Sequence, residues 1–265
     1  MNLEHIKVSF IISVLNAEKT IENCLNSIIN QNHKNFEIII IDGKSEDNTI
    51  EIINKYIKHI EFFKSESDDG IYDAWNKALK RVTGDWLCFL GSDDFILGNG
   101  IVDMLSLLDT EGNINFISAK VMLVDEVGND VQIVGRPWNF SSLKNKLGII
   151  HCGALHSKSL FVNSKFNSDY KIAGDFEFLL KIGDKINALF LDKVIVKMYI
   201  GGLSRKQSNK VIYETYLALY QSDKFTLVQS IIYFLNAHLR VYIRALLVLC
   251  SQSTYNKIKL LFSRT

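Results

Sequence analysis

The N-terminal part of the chain alternates between two apolar patterns. KVSFIISVL (7–15), FEIIIID (36–42), IEFFKS (60–65) and DWLCFLG (85–91) are short continuous apolar runs. Runs of this length, rich in β-branched and aromatic residues, predict strands covered on both faces. Between them the apolar residues recur at helical spacing. Ile21, Leu25 and Ile28 form a stripe after Asn16, a candidate N-cap. Ile71, Ala74 and Leu79 mark a helix over 70–81. Ser45-Glu46-Asp47 puts a cap and two acids where a helix dipole favours them. Strand and helix in alternation predict βαβ units and a mostly parallel central sheet flanked by helices.

The middle of the chain is less regular. INFISAKVMLVDE and VQIVG flank a Gly-Asn-Asp turn, which predicts a strand pair. Pro137 opens a loop, 188–200 reads as one long strand or two, and helices are expected over 175–184 and 207–222. No internal repeat or low-complexity tract appears.

Composition sets the frame. A chain of 265 residues, 48% apolar and 22% charged, can bury a sizeable core and is not disordered. A net charge of +1 gives no global basic field, so nucleic acid is not expected as a partner. That near-neutral total hides an asymmetry. Residues 226–265 carry Arg240, Arg244, Lys257, Lys259 and Arg264 and no acid, which leaves the first 225 residues with 25 basic and 29 acidic groups. The chain therefore divides into an acidic body, 1–225, and a basic apolar helical tail, 226–265. The tail stretch 226–250 is long enough to cross a membrane. Two arginines and a histidine near its middle argue instead for a helix lying on a membrane surface, packed on the body, or facing a second copy in a homo-oligomer. The four cysteines are scattered with no C-x-x-C pair, and the N-terminus lacks a signal-peptide pattern. Both point to a cytoplasmic protein.

Ligands of open α/β sheets bind outside the carboxyl ends of the strands. The predicted ends offer Leu15, Asn16 and Glu18 after the first strand and Asp42 after the second. The third is followed by Asp68, Asp69 and Gly70, the fourth by Gly91, Ser92, Asp93 and Asp94. Each of the four ends carries an acid. No G-x-G-x-x-G and no P-loop comes after any strand. A divalent cation, Mg²⁺ or Mn²⁺, bridging carboxylates to phosphates fits such an edge. Adjacent side chains of an extended segment point to opposite sides, so one of Asp93 and Asp94 is expected to face the ion and the other a neighbour.

The segments FIISVLNAEKTIENCLNSIINQ, FEIIIIDGKSEDNT, SESDDGIYDAWNKALKRVTGDWLCFLGSDD, HCGALHSKSLF, YKIAGDFEFLLK and GGLSRK occur together and in this order. On them the chain resembles the inverting glycosyltransferases of the GT-A fold, family 2 type, of bacterial surface-polysaccharide synthesis. The resemblance implies a nucleotide-sugar donor, a UDP-sugar, and a glycan acceptor, lipid-linked at the inner face of the membrane. It gives Asp42 the contact to the base and places Asp68, Gly70 and Asn76 near uridine. Asp93 takes the last position of a D-x-D metal motif whose first acid is here Gly91, with Asp94 beside it. Asp175 matches the catalytic base, His151 a histidine on the acceptor side, and Gly201 to Ser204 a loop that closes over the donor. Two other classes remain open: a sugar-phosphate nucleotidyltransferase, which would want a glycine-rich loop where Asn16-Ala17-Glu18-Lys19 stands, and a non-catalytic scaffold, which would be expected to have lost Asp42, Asp93 or Asp175.

Overall fold

The computed structural model describes residues 3–109, 112–143, 148–201 and 207–248. Strand β1 (Val8–Val14) lies between β2 (Phe36–Asp42) and β4 (Trp86–Gly91), and β3 (Phe62–Ser65) borders β2, all four parallel. Beyond β4 the sheet turns mixed. β8 (Ala154–Ser157) runs antiparallel to both β4 and β6 (Phe116–Val124). β9 (Ala188–Tyr199) runs parallel to β6, and the two-residue β5 (Phe95–Ile96) borders β9. β7 (Asp130–Val134) folds back on β6 around a turn held by Asp125, whose carboxylate accepts from the N–H groups of Val127 and Asn129. The order among the described residues is β3-β2-β1-β4-β8-β6-β9-β5.

Chain direction decides which face each helix covers. Crossovers between parallel strands are right-handed. The chain moves one way from β1 to β3, so α1 (Ile21–Ile29) and α2 (Thr49–Lys55) cover one face. It then returns past β2 and β1 to reach β4, so α3 (Ile71–Leu79) covers the other. Alternate residues of the strands feed the two layers. Phe10, Ile12, Ile38, Ile40 and Leu90 pack with α1, with Ile53 of α2 and with Ile101 and Met104 of α4 (Gly100–Leu105). Ile11, Ile39, Ile41, Leu87 and Phe89 pack with α3, with α5 (Gly174–Ile182) and with Ala218 and Leu219 of α6 (Ser208–Gln221). Phe89 and Phe178 are almost wholly buried. Truncating such a residue to alanine costs about 3–5 kcal/mol.

Several boundaries differ from the sequence pattern. α1 begins at Ile21, not after Asn16, and Asn16 sits in the left-handed region at φ 49° with its side chain accepting from Glu46 N. α2 begins at Thr49, where Asp47 accepts from the Thr49 N–H, and Ser45 turns back to the end of β2 instead of capping a helix. Residues 188–199 form one strand whose register slips against β6 near Lys120. β5, β8 and α4 are too short to leave a period in the sequence. The helix over the tail, α7 (Leu227–Val248), packs on α6 through Phe234 and Tyr216, ring centroids 5.2 Å apart. Among the described residues no helix is long and apolar enough to cross a membrane. Ser204 and residues 249–265 lie outside the described residues.

Candidate active site

The strand order reverses direction between β1 and β4, and at such a switch point two loops leave the sheet edge on opposite sides and open a crevice. The register gathers the acids there. Val14 of β1 is level with Asp42, Ser13 is level with Gly91, and Asp42 is level with Ser65. With about 4.8 Å between neighbouring strands, the ends of β2 and β4 stand roughly 10 Å apart across β1.

Asp42 is fully buried, and its carboxylate accepts from Ser45 N at 3.0 Å, Ser45 Oγ at 2.5 Å and Ser65 Oγ at 2.6 Å. Asp68 lies against the next residue: a Cβ on Gly43 would fall 2.9 Å from Asp68 Oδ2, so a side chain there would push that carboxylate aside. Asp68 also accepts from Gly70 N at 3.0 Å, which holds Gly70 at φ 112° at the start of α3. Burial pushes the Asp68 carboxyl above its ordinary range, with Asp73 and Asp42 adding repulsion.

The β4 end shows how two adjacent aspartates coexist. Asp94 turns inward: its Oδ2 accepts from Gly91 N at 2.7 Å, while its Oδ1 is buried with no N–H or O–H donor. Burial, then the neighbouring Asp93 charge, push its pKa up to about 8, and the Cys152 thiol, a weak donor, only partly offsets that. Asp93 stays partly exposed, its carboxyl raised by desolvation. Gly91, where the D-x-D pattern would have its first acid, is closely flanked by the two carboxylates. A Cβ there would sit 2.7 Å from Asp93 Oδ1 and 3.2 Å from Asp94 Oδ2, so a side chain at 91 would require the carboxylates to shift. Cys24, Cys88 and Cys152, far apart in sequence, form a buried thiol layer around this corner. Cys24 Sγ reaches Gly91 O at 3.5 Å. Burial and the aspartates keep these thiols protonated, so they desolvate the acids without neutralising them.

This pair tests whether a cation fits. Among the described residues no three His, Cys, Asp or Glu gather into a cage. Mg²⁺ and Mn²⁺ do not require one, since they accept one or two carboxylates and complete their shell with phosphate oxygens and water. Two adjacent carboxylates with raised pKa values and an oxygen lacking a donor fit that demand.

Asp175 comes to the same edge by way of Tyr72. The Tyr72 hydroxyl donates to Ile172 O at 2.6 Å and to Asp175 Oδ1 at 3.2 Å, and the ring lies so close that a Cβ on Gly174 would be 2.7 Å from it. Burial, then Asp175, keep the Tyr72 phenol protonated and hence a donor. Asp175 Oδ1 also accepts from Phe176 N at 2.8 Å. Desolvation raises the Asp175 carboxyl despite these two bonds. Lys171 Nζ ties the segment before Asp175 to Asp69 O, in the loop after β3, at 2.6 Å.

Other candidates sit elsewhere. The Asn76 amide donates to Phe166 O at 2.8 Å and accepts from Phe166 N at 3.1 Å, so both of its ends are taken by backbone. His151 is buried, 6.0 Å from Trp75 in a stacked arrangement and 4.9 Å from His156, and neither ring nitrogen has a partner. It stands in the aromatic core rather than on an open acceptor side. Glu18 accepts from Asn48 N and Nδ2, bracing the loop after β1 against the loop after β2, and Leu15 is exposed at the rim. Ser92 is partly exposed next to Asp93. Tyr72, Lys171 and Glu214 went unnoticed in the sequence. For Glu214 there was a signal, a lone acid four residues before the buried Ala218 of α6.

Comparison with known proteins gives the family and the fold. The family model "Glycosyl transferase family 2" matches residues 9–164, and the chain belongs to that family. A PGL/p-HBAD biosynthesis glycosyltransferase of Mycobacterium bovis is 28% identical over 183 residues, covering 65% of this chain and 68% of the relative. Glycosyltransferase GlyA of Streptococcus pneumoniae is 27% identical over 259 residues, covering 89% of this chain and 36% of that protein. Among solved structures, S. aureus TarS 1–349 in complex with UDP superposes with a TM-score of 0.67 at 20% identity, over 95% of this chain and 78% of TarS. Mannosyltransferase PcManGT of Pyrobaculum calidifontis, in complex with GDP-Man and Mn²⁺, superposes with a TM-score of 0.63 at 15% identity, over 97% and 79% of the two chains. The fold is GT-A: a mostly parallel sheet flanked by helices, with a helical C-terminal region. The protein is a glycosyltransferase.

Proposed function

We propose that this enzyme moves a sugar from a nucleotide sugar, a UDP-sugar, to a hydroxyl of a glycan acceptor, with inversion. The observation that carries the reading is the gathering of Asp42, Asp68, Asp93 and Asp94 at the β1/β4 switch point, with Asp175 linked to the same edge through Tyr72 and Lys171. The UDP complex of TarS and the GDP-Man and Mn²⁺ complex of PcManGT support a nucleotide-sugar donor and a divalent cation, Mn²⁺ or Mg²⁺.

In this reading the acceptor hydroxyl attacks the anomeric carbon while Asp175 takes its proton. A C–O bond to the acceptor forms, the bond from the anomeric carbon to the diphosphate breaks, and the nucleoside diphosphate leaves with the electron pair. A single displacement inverts the centre. Oδ1 of Asp175 is occupied by Tyr72 and Phe176, which leaves Oδ2 for the proton. Its desolvation strengthens it as a base. Asp93, with Asp94 behind it, would hold the cation, which neutralises charge developing on the diphosphate. Asp42 and Asp68 would bind the base and ribose side of the donor, together with Asn16 and Gly70.

The acceptor is lipid-linked and the enzyme peripheral on the inner face of the cell membrane. This part rests on α7, which exposes Val228, Ile231, Ile232, Leu235, Leu239 and Tyr242 at helical spacing, in a tail with five basic residues and no acid. An apolar stripe beside basic residues suits an anionic lipid surface. Deleting 226–265 should release the protein from anionic vesicles; a truncated chain that still floats with them removes the tail as anchor.

The donor site is tested by titrating UDP with and without Mn²⁺ into wild type and Asp93→Ala. Wild type should bind more tightly with the metal, and Asp93→Ala should lose that difference. A variant with unchanged metal dependence would overturn the assignment.

A further inference from the structure

We propose that Glu214 is a positioning residue for the catalytic base, a carboxylate from α6 that grips three consecutive backbone N–H groups immediately before Gly174-Asp175 and so fixes where Asp175 points. The inference rests on Asp175 being the base.

Glu214 is only 6% exposed, on a helix outside the residues the family model matches. Its Oε2 accepts from Ile172 N at 2.9 Å, Ala173 N at 2.9 Å and Lys171 N at 3.2 Å, and its Oε1 from Lys171 N at 3.1 Å. Successive N–H groups converging on one anion form a nest, which normally binds a ligand's charge. Here the protein fills the nest from its own chain.

The gripped segment is also held from the other side. Ile172 O takes the Tyr72 hydroxyl at 2.6 Å, Gly174 lies flat on the Tyr72 ring, and Lys171 Nζ donates to Asp69 O on the donor loop. Residues 171–175 are thus clamped between α3, which comes after the donor loop, and α6, on which the tail helix packs. With both clamps in place, the backbone entering α5 has one position, and Asp175 is delivered with Oδ1 against Tyr72. A base must lie within about 3 Å of its proton, and an error of about 1 Å costs on the order of a hundredfold in rate. Glu214 never touches the reacting atoms. It acts through the backbone and through its charge, which opposes ionisation of Asp175. The titratable groups facing Asp175 from neighbouring elements are Tyr72 of α3 and Glu214 itself.

The test compares Glu214→Gln with Asp175→Asn, measuring UDP release from whichever of UDP-glucose, UDP-galactose and UDP-GlcNAc is turned over. Glu214→Gln should lower kcat at least about tenfold with KM for the donor within about twofold. It should also move the acidic limb of the kcat profile to lower pH, because a negative neighbour of the base is gone. A role in folding alone would lower Tm and leave that limb where it was. If Glu214→Gln fails to fold by circular dichroism, Glu214→Asp keeps the charge and withdraws it by one methylene. A fall in kcat with the limb unmoved then supports the proposal, and wild-type kcat overturns it. Asp175→Asn separates the two levels. If it is fully active, the base assignment itself falls. If it is inactive while Glu214→Gln keeps wild-type kcat and acid limb, only the positioning role falls.

Discussion

Two buried carboxylates at opposite edges of one sheet, Glu37 and Asp94, are treated in opposite ways. At the amino edge, Glu37 of β2 is buried, yet every demand of its charge is met. It takes bonds from Ser9 Oγ at 2.6 Å, Thr83 N at 2.6 Å and Thr83 Oγ1 at 2.5 Å, with Lys7 Nζ at 2.7 Å. Burial alone would raise its pKa, but Lys7, Ser9 and Thr83 together bring it down to about 2. At the carboxyl edge, Asp94 is equally buried, no cation of the described residues pairs with it, and its pKa stands at about 8. Asp93, Asp68 and Asp175 are raised there as well, each chiefly by desolvation. A carboxylate supplied with donors and a cation by its own fold is a structural part. Desolvated carboxylates such as Asp93 and Asp94, with no lysine or arginine among the causes of their shifts, suit the binding edge proposed above.

The contrast can be broken from either edge. Asp175→Asn should lower turnover about 10²–10⁴-fold while Tm and UDP affinity by calorimetry stay near wild type. A large loss of Tm would move Asp175 to the structural class. Glu37→Ala should do the reverse, destabilising by about 3 kcal/mol by leaving Lys7, Ser9 and the Thr83 N–H without their acceptor. UDP affinity at a temperature where the variant is folded should not change.

A third prediction concerns the aromatic layer between the edges. His151 is buried neutral, its pKa lowered to about 3 by desolvation. Its contribution to stability is whole above the unfolded value of about 6.5 and is lost as pH falls towards 3, since the unfolded chain binds the proton first. His151→Phe should therefore recover roughly 2 kcal/mol of the stability wild type loses between pH 7.5 and 4.5. Parallel pH curves for the two proteins would show that the ring is not the sensitive group. The smallest effect is expected at Asp94→Asn, about a tenfold loss of Mn²⁺-dependent UDP affinity with little change in Tm. Destabilisation as large as that of Glu37→Ala would erase the distinction between the edges.

Much of this was legible along the chain. Continuous runs such as FEIIIID announce a strand covered on both faces, because solvent-facing positions in it would be polar. The acids sit where those runs stop, so Asp42 and Asp93 could be found at the carboxyl end of each predicted strand. Asn76 could not be judged that way. Its amide is bound to Phe166, ninety residues on, and nothing local to the NKAL stretch reports that partner. His151 was given an acceptor-side place by the family resemblance alone, and the packing of Trp75, Phe89 and Phe166 around it makes it a core residue.

By itself, then, the sequence determined the alternation of strand and helix, the parallel sense of the first strands and the location of the acidic strand ends, because periodicity and strand termination are local properties of a few successive residues. Tertiary structure alone decided that Glu37 gains a cation and Asp94 does not, that the carboxylates of Asp93 and Asp94 flank Gly91, and that Glu214 reaches across to hold the segment carrying Asp175. Those outcomes depend on desolvation and on donors brought from distant segments, and both exist only once the chain has closed on itself.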